Sequence, residues 1–205
     1  MLYQLGLEQE HSQQRFFYTD ITEPLARERA DQISRAWQIT IVGLSMDQIK
    51  TLHELPPEIP LKIFTSYYRY GEVSSLAGGL NAEVIPVGLK FTDAMIKEVT
   101  RLPDGAVIEI ILDEHDFASY GGLILANYQR GFAAKKVTFK VRALTTINDL
   151  VKRLKSGECQ LMIMSNKLWD DLPTDFKRLK MVTRAKMEFG GRASEAARLR
   201  AGIVV

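Results

Sequence analysis

The chain has 205 residues, room for one large α/β domain or two small lobes with packed cores. Hydrophobic residues make up 46% and charged residues 25%, an ordinary soluble balance, and a formal net charge of +2 gives no strong field for nucleic acid or an anionic membrane. No apolar run approaches the roughly 20 residues that span a bilayer, MLYQLGLEQEHSQQR lacks the basic-then-apolar order of a secretory signal, and the one cysteine, Cys159, cannot form an internal disulfide and fits a reducing, cytoplasmic setting.

In chain order, Tyr3–Leu7 and Arg15–Thr19 read as short strands around the polar EQEHSQQ, either a hairpin or the end of a longer N-terminus. Asp20 or Thr22 can cap a helix that Pro24 begins well. Leu25, Ala26, Arg29, Ile33 and Trp37 carry that helix to QITIVGL (Gln38–Leu44), a buried strand. Ser45 opens a short helix that Leu55-Pro56-Pro57 ends. LKIFTS (Leu61–Ser66) is the next strand, followed by Tyr67-Tyr68-Arg69-Tyr70-Gly71 and a short helix up to Gly78-Gly79. Pro86 places the strand EVIPVGL at an edge or an irregular position. Thr92 caps a helix that runs to Leu102-Pro103.

The stretch Ala106–Ser165 organises the rest. AVIEIILD stops at Asp113-Glu114-His115-Asp116, VTFKVRAL runs into Thr145-Thr146, and CQLMIMS ends at Ser165-Asn166-Lys167. Helical spacing fills both intervals, and Thr146 with Asp149 makes an N-terminal cap. Strands alternating with helices imply right-handed crossovers and a buried parallel sheet. Ligands of such sheets sit at the carboxyl ends of the strands, where these polar residues lie. A short helix at Leu168–Leu172, a strand at Leu179–Ala185 and a closing helix through Ser194–Arg200 complete the chain.

The segment from Arg15 to Ser66 and the segment from Val137 to Arg184 follow one plan of strand, threonine-capped helix, buried strand, serine, short helix, Leu-Pro and strand. On that match Ser45 corresponds to Ser165, and the strands Gln38–Leu44 and Cys159–Ser165 are each central in a lobe. The expected fold is α/β, with two similar βαβ lobes, mainly parallel sheets and a cleft between facing strand ends. Residues 1–90 form the first lobe and 91–205 the second, the C-terminal helix being free to return to the first.

Asp113–Asp116 brings three carboxylates and an imidazole after a strand. Adjacent loop residues point different ways, however, and no second His or Cys cluster converges on them, so no metal site is read here. Cys159 opens a buried strand without a neighbouring base and reads as a structural thiol. No Gly-x-Ser-x-Gly elbow, phosphate loop or dinucleotide glycine pattern occurs, so no catalytic residue and no cofactor is assigned. The arginines of the last helix read as a solvated face, and QITIVGL lies where a helix-turn-helix would need its second helix. The ligand candidates are Ser45; Ser66, Tyr67 and Arg69; Asp113, Glu114 and His115; Thr145 and Thr146; and Ser165 and Asn166. Hydroxyls, helix N-termini and Arg69 suit a small anionic or polyhydroxylated metabolite.

KFTDAMIKEVTRLPDGAVIEIILDEHDFA, TTINDLVKRLKSGECQLMIMSNKLWDDL and RLKMVTRAKMEFGGRASEAARLRAGI together resemble the ligand-sensing domain behind the winged helix of some GntR-type transcription regulators. DQISRAWQITIVGLSMDQIKTLHELPPEIPLKIFTS resembles its first lobe, and the whole is more loosely similar to periplasmic-binding-protein-like effector domains. The resemblance implies a bacterial small-ligand sensor that regulates transcription and is not catalytic, with a homodimer left open and no direct nucleic-acid or membrane contact by this chain. Two departures stand out: Cys159-Gln160 replaces an acidic residue of the pattern, and no winged helix precedes residue 1. The chain is then an excised sensor or a stand-alone relative. The rival functions are a small isomerase or lyase using Asp113–Asp116, and a scaffold that has lost its ligand site.

Overall fold

The structure, a computed structural model, describes residues 15–203 (backbone alone at 191–193), so the expected strand Tyr3–Leu7 lies outside the described residues. The chain divides into two compact units. The first runs to Lys90 and resumes at Glu188, and the second is Phe91–Met187.

In the first unit, β1 (Arg15–Asp20) is followed by α1 (Glu23–Trp37), β2 (Val42–Ser45), a 3-10 helix over Met46–Glu54, β3 (Leu61–Ser66), a 3-10 turn over Tyr67–Arg69, α2 (Tyr70–Leu76) and β4 (Ala82–Val87). The four strands are parallel in the order β2-β1-β3-β4. Both faces are covered, so β1 reads as a continuous buried run without polar alternation. Phe17 packs with Leu44, Ile49, Leu52 and Ile63 on one face. Tyr18 and Phe64 pack on the other, with Ala26, Ala30, Ile33 and Trp37 of α1 and with Ala197, Ala201 and Ile203 from the C-terminal segment. Pro86, which cannot donate a ladder bond, sits on β4 at the sheet edge as its chemistry demands. α1 lies very close on β2: a Cβ at Gly43 would stand 2.5 Å from Arg27 Cα and 2.6 Å from the Ala26 carbonyl carbon.

β5 (Leu89–Phe91) leads to α3 (Asp93–Thr100), whose N-terminus Thr92 caps by accepting from Met95 N at 3.3 Å. The second unit then runs β6 (Val107–Leu112), α4 (Glu114–Gly131), β7 (Thr138–Ala143), α5 (Ile147–Ser156), β8 (Leu161–Met164), α6 (Asn166–Asp171), α7 (Thr174–Lys177) and β9 (Val182–Arg184). Its parallel sheet has the order β7-β6-β8-β9. β10 (Met187–Phe189) pairs with β5 in a two-stranded sheet at the points where the chain passes between the units. α8 (Gly191–Arg200) closes the first unit.

The molecule is therefore α/β, with two parallel four-stranded sheets of one topology. The internal match is shifted by one strand from the sequence expectation. Equal strand order aligns β1 with β6, β2 with β7, β3 with β8 and β4 with β9. The strand expected over Gln38–Leu44 is β2, an edge strand and not a central one, whereas the Cys159–Ser165 strand is interior. Ser165 accordingly corresponds to Ser66, and Ser45 to the Thr145-Thr146 end of β7. A βα rhythm matches itself under a shift of one unit. The burial of β2 does not betray an edge either, because Gly43 and Leu44 are buried although the strand has one neighbour. EVIPVGL is split between β4 and the start of β5, and the last strand of the second unit is shorter than Leu179–Ala185.

Candidate functional site

The chain leaves β1 through α1 to β2 on one side and returns as β3 on the other, so β1 and β3 form the switch point of the first sheet. Asp20 ends β1 there, in register with Ser45, while Thr19 pairs with Thr65, the residue before Ser66. Asp20 is buried. Its Oδ1 accepts from Ile21 N at 2.9 Å and its Oδ2 from the Tyr18 hydroxyl at 3.3 Å. Two arginines come from other elements. Arg29, on the buried face of α1, is 4% exposed, and Arg69, from the turn after β3, is 7% exposed. Three residues per turn put Tyr67 and Arg69 on different sides, so Tyr67 is exposed and Arg69 turns inward.

Arg29 Nη1 donates to Gln32 Oε1 at 3.1 Å, and its guanidinium carbon lies 5.7 Å from the Phe189 ring centroid, within cation–π range. Tyr18 meets the same ring edge-on at 5.4 Å. Arg69 Nη1 is 3.5 Å from Glu72 Oε2. Burial pushes the Asp20 carboxyl above its ordinary range even though Ile21 N–H, Arg69 and Arg29 all pull it down. Burial and the Asp20 charge push the Tyr18 phenol well up, so it remains a neutral donor. Two buried guanidiniums whose charges act on a buried carboxylate that gives up its own charge more readily than usual can grip an oxyanion while the carboxylate takes up a proton.

In the second unit the strand-end residues mostly serve their own helices. Asp113 Oδ1 caps α4 by accepting from Asp116 N at 2.9 Å, and its Oδ2 lies 3.2 Å from Lys167 Nζ. Burial acts to raise the Asp113 carboxyl, but the Asp116 N–H and Lys167 outweigh it and hold it low. Glu114 and His115 are exposed, His115 lying edge-on to Tyr120. Thr146 Oγ1 accepts from Asp149 N at 3.2 Å, and both Thr145 and Thr146 donate to Asp149 Oδ2, which holds that exposed carboxyl down. Ser165 Oγ accepts from Leu168 N at 3.4 Å. Asn166 Oδ1 is shielded from solvent without a hydrogen-bond partner.

The sequence candidates thus fall into two groups, one on each sheet's carboxyl edge. Ser45, Ser66 and Arg69 join Asp20 in the first unit; Asp113, Ser165 and Asn166 gather by Lys167 in the second. Sequence reading left Asp20, Tyr18, Arg29 and Phe189 out of the candidates. For Asp20 the signal was present, since RFFYTD ends on an acid as AVIEIILD does. A buried carboxylate met by two arginines at the surface also escaped it: Glu109 of β6 lies 3.4 Å from Arg142 Nε and 3.5 Å from Arg153 Nη1. Burial and Glu109 push the nearby Cys159 thiol up, away from nucleophilic thiolate.

A groove of about 390 Å³ in the first unit is lined by Trp37, Phe189, Ser194 and Arg198 among others. Arg198 is committed there to Glu195 and, at 3.0 Å, to the Ile203 carbonyl. Among the described residues no group of His, Cys, Asp and Glu is placed to hold a metal ion, and no helix is long and apolar enough to cross a membrane. No family model, curated protein or solved structure matches this chain.

Proposed function

We propose that this chain is a small-ligand-binding regulatory domain whose ligand, an anionic or polar metabolite, is held at the carboxyl edge of the first unit's sheet. One observation carries the reading: Arg29 and Arg69, from different elements, are both buried, as is Asp20 at the β1/β3 switch point, and both their charges act on its carboxyl. Burying a guanidinium is costly unless it is paired and hydrogen-bonded. A fold that needed only a core would place apolar side chains there. The regulatory role follows from the resemblance to sensor domains of transcription regulators and is proposed on that ground.

The arrangement favours binding over catalysis. Binding is supported by the rival cluster Asp113–Asp116, where Asp113 caps α4 and pairs with Lys167 and Glu114 and His115 face solvent. The test is a thermal-shift screen of anionic metabolites, followed by turnover assays on each hit. A stabilising metabolite that is not converted, and whose affinity falls by about 1.5–3 kcal/mol in Arg69→Ala, is the expected result. Turnover by catalytic amounts of protein, or unchanged affinity in a folded Arg69→Ala variant, overturns the reading.

A further inference from the structure

We propose that the first unit takes up one proton with its anionic ligand, Asp20 changing from the internal counter-anion of Arg69 and Arg29 into a neutral carboxylic acid that donates a hydrogen bond to the bound oxyanion. The proposal rests on the anion-binding reading of the same edge and adds the ligand class, a hydrogen-bond-accepting oxyanion, and its linkage to pH.

The geometry leaves little alternative place for the charge. Asp20 is 8% exposed, so water cannot screen it from a second anion brought to the same arginines. Its protein donors are Ile21 N–H and the Tyr18 hydroxyl, at 2.9 and 3.3 Å. Like charges that share a buried site do not both stay ionised; one of them takes a proton. The ligand-free carboxyl is already pushed toward the acid form by burial, and a second anion acts in the same direction. The other charged groups on the elements around it do not substitute for it. Arg29 and Arg69 stay cationic, and Tyr18 is pushed well above its ordinary value. Glu23, in the first turn of α1, is engaged by Arg27 and Gln48. Glu72 is paired with Arg69 and has its own control below. The proton comes from solvent, goes to an Asp20 oxygen and returns on release, with no bond to the ligand made or broken.

Sodium sulfate is the probe, because it stays dianionic across the range used and cannot itself supply the proton. Titration calorimetry in two buffers of different ionisation enthalpy, from about pH 5 to about pH 8, reads proton uptake directly. The expected result is close to one proton per sulfate at the upper end, with affinity falling by up to about tenfold per pH unit above the Asp20 midpoint. Asp20→Asn should bind sulfate without proton uptake and with a flat pH profile, while Glu72→Gln should keep the wild-type uptake. If Asp20→Asn does not fold, wild-type uptake decides alone. Sulfate bound without proton uptake, or uptake lost in Glu72→Gln, overturns the linkage and leaves the anion site standing. No sulfate binding at any pH overturns the anion site itself and the linkage with it.

Discussion

Replacing Gly43 by alanine adds one methyl group at the tightest seam of the first unit. The new Cβ would meet Arg27 Cα and Arg27 N at 2.5 Å and the Ala26 carbonyl carbon at 2.6 Å. All three are backbone atoms, so no side chain can swing aside. Ordinary contact needs roughly 1 Å more, and α1 must move off β2 by that amount. The movement loosens Ala26, Ala30 and Ile33, which are at most 1% exposed against the sheet. Overpacking of this kind costs about 1–3 kcal/mol, and an unyielding backbone puts the cost at or above about 3 kcal/mol. Urea unfolding followed by tryptophan fluorescence reports on this seam, because Trp37 ends α1 in the same cluster. Gly122→Ala is the control: it lies exposed within α4 with nothing within 4 Å of its Cβ, and should stabilise by about 1 kcal/mol through helix propensity. A Gly43→Ala protein within about 0.5 kcal/mol of wild type, below the range for overpacking, would refute the packing of α1 on β2 described above.

Gln38 caps α1 at φ 54°, the non-glycine residue with positive φ among those described, and it is exposed. Gln38→Gly should therefore raise stability by about 1 kcal/mol in chemical denaturation. Thr146→Ala removes the α5 cap and should lower stability by about 1 kcal/mol in the same assay. The raised Asp20 carboxyl binds its proton more tightly folded than unfolded. Stability from this group is thus complete below the unfolded value near pH 3.9 and lost as pH rises through the raised folded value. Asp20→Asn, measured by urea melts across pH, should gain on wild type through that window and run parallel above it; a difference that shrinks with rising pH would reverse the assignment.

The α/β class was legible because buried apolar runs such as AVIEIILD and LKIFTS alternate with helical spacing, and caps at Thr92 and Thr146 sit where hydroxyls and helix starts predict them. The place of β2 within its sheet was not legible, whereas Pro86 marked β4 as an edge strand. β2 is buried on both faces like an interior strand, and what makes it an edge is the missing neighbour, which leaves no mark on its own residues. The candidate ligand residues divide in the same way. Arg69 stood out as a cation next to a strand end. Arg29 did not: its spacing put it with Leu25, Ala26, Ile33 and Trp37 on one helix face, and nothing in the sequence near it shows the distant ring that covers it. Phe189 supplies that ring from the far end of the chain. Most candidate hydroxyls were visible because helix starts require them, and that same requirement accounts for what they do.

The second unit is one unbroken stretch, Phe91–Met187, while the first is completed only by the chain that returns at Glu188. On the ribosome this sets a schedule. At about 5–20 residues per second, the second unit is fully synthesised and able to fold while α1 and its sheet still lack a wall. Tyr18, Ile33, Trp37 and Phe64 wait for Ala197, Ala201 and Ile203, and the Arg29 guanidinium waits for Phe189. The half of the molecule made first is therefore finished last. A nascent chain stalled before Glu188 would expose an incomplete first core beside a folded second one, a natural substrate for chaperones that hold unfinished apolar surface.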